Sequence, residues 1–143
     1  MPAGKIHLTL AFLGEVGAER LAAAREAAPP GASRLRVRLD CVGSFRRARV
    51  AWAGALAPDA ALVALVALQS RLAQGLRDRG FELEDRPFAP HLTLARRTVR
   101  PLPKAAIAPV EWTAGELALM RSDLRSGEYE TVAAWPMGGE ARR

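Results

Sequence analysis

The tetrapeptide His-Leu-Thr-Leu occurs twice in this chain, at His7–Leu10 and at His91–Leu94, and the two copies use both of its histidines. On an extended strand, side chains alternate between faces, so His7 and Thr9 share one face while Leu8 and Leu10 share the other. His91 and Thr93 repeat the arrangement. Imidazole is the side chain that gives or takes a proton near neutral pH, and a hydroxyl both donates and accepts hydrogen bonds. Two such strands brought face to face would present two imidazoles and two hydroxyls, a set suited to holding a phosphate between an acid and a base. Packing alone would constrain the leucines and leave His and Thr free to differ between the copies. The copies lie far apart in the chain, so only folding can unite them.

Two other chemistries are weaker fits. Paired histidines suggest a metal, yet a zinc site needs three or four ligands, and no cysteine pair, third histidine or HExxH carboxylate accompanies these two. A threonine nucleophile activated by histidine is conceivable. A hydroxyl two residues along a strand, however, is better placed to bind the same ligand beside its own histidine than to be deprotonated by it.

The elements that must position these residues follow from pattern. Ile6–Leu13 reads as a strand ending at Gly14, and Ala18–Ala28 as a helix stopped by Pro29, Pro30 and Gly31. Leu35, Val37 and Leu39 alternate with Arg34, Arg36, Arg38 and Asp40, which predicts a strand with one dry and one wet face. Gly43–Arg49 then predicts a basic turn carrying Arg46, Arg47 and Arg49 into a second strand over Val50–Leu56. Pro58 and Asp59 open a helix with Leu62, Leu65, Val66, Leu72 and Leu76 near helical spacing, terminated at Gly80. Phe81–Glu84 suggests a short strand leading through Arg86-Pro87-Phe88-Ala89-Pro90, a stiff approach, into the second His-Leu-Thr-Leu strand. After a proline-rich connector with Pro101, Pro103 and Pro109, Glu116–Arg121 and Tyr129–Trp135 predict two closing strands joined through Ser126-Gly127. The order β-α-β-β-α-β-β-β favours one α+β domain, residues 1–143, of two similar halves.

Composition sets the surroundings. Lys plus Arg number 21 against 15 Asp plus Glu, a formal charge of +6 that favours polyanions such as nucleic acid. Nearly all of the cations are arginine, which suits bidentate phosphate contacts, although a GC-rich coding sequence would produce the same richness in Arg, Ala and Gly. The single Cys41 excludes an internal disulfide framework and fits a reducing, cytoplasmic compartment. The apolar stretch Ile6–Val16 lacks a signal peptide's layout, and the longest apolar run, Ala60–Leu68, falls well short of the ~20 residues that span a bilayer, so no membrane partner is expected.

The motifs and their flanks carry a resemblance. Paired HxTx motifs in one small chain are the hallmark of the 2H phosphoesterase superfamily. The stretches His7-Leu8-Thr9-Leu10-Ala11-Phe12-Leu13-Gly14-Glu15-Val16 and Arg86-Pro87-Phe88-Ala89-Pro90-His91-Leu92-Thr93-Leu94-Ala95-Arg96 resemble the bacterial RNA 2',3'-cyclic phosphodiesterases, long called 2'-5' RNA ligases. Ser122, Gly127, Tyr129 and Trp135 are similar to that family's closing hairpin, and the likeness runs from Lys5 to about Trp135. It implies a bilobal α+β fold in which two pseudo-symmetric antiparallel sheets flank a central groove, with helices outside and one HxT motif from each lobe.

The resemblance further implies opening of an RNA terminal 2',3'-cyclic phosphate to a 2'-phosphomonoester, without metal or other cofactor, and reversible 2'-5' ligation. Its partners would be RNA ends or small cyclic nucleotide phosphodiesters. By the same resemblance His7 is the proton donor to the leaving oxygen, His91 the base that activates water, and Thr9 and Thr93 hold the non-bridging oxygens. Arg86 and Arg96 are candidates for further phosphate contact, a solvated surface arginine being the alternative for each. Other substrates of the same fold, a different cyclic nucleotide or a 2'-5' linkage, remain open, as does a non-catalytic module that binds RNA ends. Only Met1–Lys5 and Ile6 precede His7, where the family carries a strand and a helix, so a short first lobe is expected, with an exposed strand edge able to self-associate.

Overall fold

The structure, a computed structural model, describes residues 6–56 and 58–138; Met1–Lys5, including the start of the family likeness at Lys5, lie outside the described residues. Charged alternation carries the first strand further than expected. β1 spans Leu35–Phe45, with Leu35, Val37, Leu39 and Cys41 buried on alternate positions. The predicted Gly43–Arg49 turn therefore contracts to Arg46–Arg49, closed by the Arg49 amide donating to the Arg46 carbonyl at 3.2 Å. β2 follows over Val50–Gly54 and ends two residues before Leu56.

β2 pairs antiparallel with both β1 and β3, the latter spanning His91–Arg96. The proline-rich connector holds an unanticipated strand, β4 over Ala105–Ala114, which completes a four-stranded sheet in the order β3-β2-β1-β4. Proline cannot donate to a ladder, which hid this strand; at the sheet edge, where β4 lies, the missing N–H of Pro109 is tolerated. Charge ties β4 to β1. Arg36 meets Glu111 at 2.7 Å, and Arg38 reaches Glu111 at 3.3 Å and Asp40 at 2.8 Å. The hydrogen bond to Glu111 raises the Arg36 pKa further.

The chain divides into two compact units. The first gathers the N-terminal segment through Leu10, Arg36–Val66 and Arg86–Trp112. The second gathers Ala11–Leu35, Ala67–Asp85 and Thr113 onward. In the second, the predicted Ala18–Ala28 helix is a 3-10 turn at Ala18–Arg20 followed by a short α1, Leu21–Glu26. Ala24 and Ala27 pack with Leu76 and Phe81 in a buried cluster that also receives Ala11, Leu13, Val16, Leu83 and Leu119. A Cβ on Gly75 would lie 3.0 Å from the Ala27 carbonyl oxygen, so the small residue permits this close approach. β5, Glu116–Ser122, and β6, Tyr129–Pro136, form a separate two-stranded sheet, close to the predicted bounds. In the hairpin turn, the amides of Arg125 and Ser126 donate to the Asp123 carboxylate and hold its pKa below the usual range.

The longest helix, α2, spans Ala60–Asp78. Asp59 caps its start, its side chain accepting from the Leu62 amide at 2.8 Å. Gly80, at φ +85°, ends it: the Phe81 amide donates to the Leu76 carbonyl at 3.0 Å and the Gly80 amide to that of Arg77 at 2.9 Å. This termination buries Phe81 against Leu76, and Phe81–Glu84 consequently forms no strand. No helix among the described residues is long and apolar enough to cross a membrane. Asp59→Ala is expected to lower stability by about 1 kcal/mol through loss of the cap, read as a lower urea midpoint with an unchanged slope.

Candidate active site

The predicted strand Ile6–Leu13 does not form a ladder. It makes one antiparallel bridge, Leu8 opposite Leu92, after which Ala11 and Leu13 turn to the helical cluster of the second unit. That bridge joins the two His-Leu-Thr-Leu copies. Both lie in the first compact unit. Carrying the antiparallel register one residue either way sets His7 across from Thr93 and Thr9 across from His91. In a regular antiparallel pair directly opposed residues have Cβ atoms ~4.5–5.5 Å apart and diagonal ones ~7–8 Å, and about this bridge the two histidines take diagonal positions. Since Leu8 and Leu92 occupy the alternate positions, all four polar side chains share the other face. His7, His91 and Thr93 are half-buried and Thr9 is exposed.

His91 is held from three sides. Its Nδ1 lies 2.9 Å from the Ala89 carbonyl oxygen. A carbonyl only accepts, so Nδ1 carries the proton of this bond, and in the neutral ring Nε2 keeps a free lone pair. The Phe45 ring meets the imidazole edge-on, with centroids 5.0 Å apart at 87°. Phe45 in turn packs on Trp52 at 5.6 Å, and Trp52 stands opposite Thr93 in the β2–β3 register. The Trp52 ring lies over two glycines: a Cβ on Gly43 would come within 2.5 Å of its Cζ2, and one on Gly54 within 3.0 Å of its Cζ3. Burial leaves the Trp52 indole N–H without a hydrogen-bond partner among the described residues.

A bulge decides where Arg96 belongs. By simple alternation it would face away from His91 and Thr93. The register, however, runs Trp52–Thr93, Ala51–Ala95 and Val50–Arg96, leaving Leu94 as an extra residue without a partner. Val50 and Trp52 share a face of β2, so Arg96 returns to the face of Thr93 and His91. Arg86 lies exposed in the loop before β3, ahead of the first paired residue, and the strand register assigns it no face. Among the described residues no three His, Cys, Asp or Glu side chains converge in a group that could hold a metal ion.

Residues 2–125 match the model of the 2'-5' RNA ligase superfamily. The chain belongs to that superfamily. It is 33% identical over 150 residues to a Geobacillus stearothermophilus protein described as an RNA 2',3'-cyclic phosphodiesterase, covering 93% of this chain and 46% of the relative. An Escherichia coli K12 protein of the same description is 40% identical over 98 residues, covering 66% of this chain and 52% of the relative. The chain thus spans about half the length of these two relatives. Its fold is that of Escherichia coli LigT, whose crystal structure with 3'-AMP superposes with a TM-score of 0.79 at 30% identity, over 96% of this chain and 80% of LigT. A Thermus thermophilus structure gives 0.77 at 29% identity, over 98% of this chain and 82% of that one. The fold is accordingly the α+β fold of the 2H phosphoesterases, with two antiparallel sheets.

The two HxT motifs are legible in the sequence of this superfamily member, whereas the residues packed around them are not. Phe45 falls in the stretch read as a turn. The signal that could have found it is the alternation from Leu35, which continues unbroken through Gly43 to Phe45. Gly43→Ala is expected to cost ~1–3 kcal/mol by crowding Trp52. Adding Trp52→Phe, which shortens the ring system, should recover part of that loss, and urea unfolding of the two single variants and the double variant measures the coupling.

Proposed function

We propose that this chain hydrolyses RNA terminal 2',3'-cyclic phosphates to 2'-phosphomonoesters, as an RNA 2',3'-cyclic phosphodiesterase, and that with a 5' hydroxyl in place of water the same ring opening forms a 2'-5' linkage, reversibly. The observation that carries the reading is the Leu8–Leu92 bridge, which aligns the two HxT motifs antiparallel on neighbouring strand segments. The names of the relatives from Geobacillus stearothermophilus and Escherichia coli agree with it. The reading is of a cytoplasmic enzyme that uses no metal or cofactor and takes RNA ends or small cyclic nucleotides as substrates.

In this mechanism His91 is the base. Nε2 takes a proton from water as the water oxygen attacks phosphorus, while the bond from Nδ1 to Ala89 keeps the ring in the required tautomer. The attack is in line with the bond from phosphorus to the ribose 3' oxygen, which breaks. His7 delivers a proton to that departing oxygen, leaving a free 3' hydroxyl and a 2'-phosphate. Charge gathers on the non-bridging oxygens during the step, and the Thr9 and Thr93 hydroxyls donate to them, with Arg96 on the same face able to add a charged donor. Arg86, in the loop before β3, supplies a further phosphate contact in this reading.

Incubation with a short RNA ending in a 2',3'-cyclic phosphate tests the reading. His7→Ala and His91→Ala should each slow hydrolysis by ~10²–10⁴-fold, the usual worth of a positioned proton-transfer group. Thr9→Ala and Thr93→Ala should each cost roughly 10- to 150-fold, the loss of a hydrogen bond to a charged group worth ~1.5–3 kcal/mol. Excess EDTA should leave the rate unchanged. Full activity in either histidine variant would overturn the two-histidine mechanism, and a trapped phosphothreonine would overturn the role of the threonines. Binding of the RNA end without turnover would mark the chain as a module that only holds RNA ends.

A further inference from the structure

The cations of the first compact unit are treated in two ways. Near β4, each arginine on β1 has a carboxylate: Arg36 pairs with Glu111, and Arg38 with Glu111 and Asp40. At the other end of the sheet the acids vanish. No Asp or Glu occurs between Asp40 and Asp59, nor between Asp85 and Glu111, while these stretches carry Arg46, Arg47, Arg49, Arg96, Arg97 and Arg100. The fold then collects them. Val50 pairs with Arg96, which puts the tip of the β1–β2 hairpin beside the end of β3. The Thr98 amide donates to the Arg49 carbonyl at 3.1 Å, and the Leu102 amide to Ser44 Oγ at 2.6 Å. Two ties on one strip of chain hold Arg100 alongside Phe45–Ala48. Arg46, Arg47, Arg96 and Arg100 are exposed, and among the described residues none of them makes an ion pair.

We propose that this hairpin tip, with the Thr98–Leu102 strip beside it, is a track for the single-stranded RNA that precedes the reacting terminal phosphate. The proposal rests on the function given above and deepens it: among the substrates named there, an RNA end is bound more tightly than a cyclic mononucleotide, through the nucleotides that precede its cyclic phosphate. The track is continuous with the site. β3 carries the polar face from His91 to Arg96, ~16 Å at about 3.3 Å per residue. Phe45, 41% exposed, stands edge-on to His91 and immediately precedes Arg46, so a base-stacking surface lies between the reacting position and the cations. Unpaired arginines with an exposed aromatic ring are the two parts of a single-strand groove, the first attracting phosphates and the second stacking bases.

Arg46→Gln, Arg47→Gln and Arg100→Gln combined test this, with Arg96 left in place because it faces the catalytic side chains. Arg49 is also left, since its guanidinium Nε donates to the Thr98 carbonyl at 3.1 Å and supports the turn. The full chain is assayed on 2',3'-cyclic AMP and on an RNA of about 10 nucleotides with a 2',3'-cyclic phosphate end, within the length such grooves cover. In the triple variant KM for the RNA should rise ~10-fold or more. The slope of log KM against log salt should fall by about 2, since each phosphate that an arginine no longer neutralises on a single strand removes ~0.7. Both kcat values, KM for cyclic AMP and the melting temperature should stay as in the unsubstituted chain. An unchanged KM and salt slope for the RNA would overturn the track while leaving the hydrolase reading intact. If neither substrate is cleaved, the hydrolase reading fails, and fluorescence anisotropy of a labelled RNA still decides the track: weaker binding by the triple variant supports it, equal binding overturns it. Retained RNA affinity with lost binding to acidic-lipid vesicles would make the patch a membrane surface and overturn the RNA track.

Discussion

The site depends on one backbone contact, the antiparallel bridge between Leu8 and Leu92. The two tetrapeptides are identical, so the direction of pairing determines what stands opposite what. In parallel register histidine would face histidine and threonine would face threonine. Antiparallel pairing about the central Leu8 and Leu92 instead sets each histidine across from the other copy's threonine and moves the imidazoles to a diagonal. Two imidazoles on a diagonal, with a hydroxyl opposite each, are a direct product of that direction.

The first unit supports this contact with close packing where strands alone would leave freedom. Gly43 and Gly54 have no side chains because the Trp52 ring occupies the space above them; Trp52 supports Phe45, and Phe45 supports the edge of His91. The cost is visible in the buried indole N–H of Trp52, which finds no partner among the described residues. The bulge at Leu94 belongs to the same design. One extra residue reverses the alternation of β3 and brings Arg96 back to the face that carries His91 and Thr93.

Charge is divided along the same sheet. Arg36 and Arg38 are neutralised by Glu111 and Asp40 and join β1 to β4. Arg46, Arg47 and Arg100 meet no carboxylate among the described residues and project their charge into solvent. Exposed ion pairs contribute little to stability, so the contrast bears on what approaches the surface more than on what holds it together.

Local chemistry made much of this legible. Asp59 and Gly80 mark the ends of α2 because a cap and a left-handed terminus are decided by neighbouring residues, and the alternation from Leu35 declared β1 because its period is that of a half-buried strand. β4 was hidden by Pro109, whose tolerance depends on an edge position that no local pattern reports. Likewise the run Ile6–Leu13 has a strand's pattern yet pairs only at Leu8, because Ala11 and Leu13 are drawn into contacts with distant helical residues. The sequence by itself determined which groups can do chemistry: His7, Thr9, His91 and Thr93 are set by residue type and by a spacing of two. The tertiary structure alone decided their mutual arrangement, the tautomer of His91, the face of Arg96 and the gathering of unpaired arginines, because register, bulges and carbonyl partners arise from segments remote in the chain.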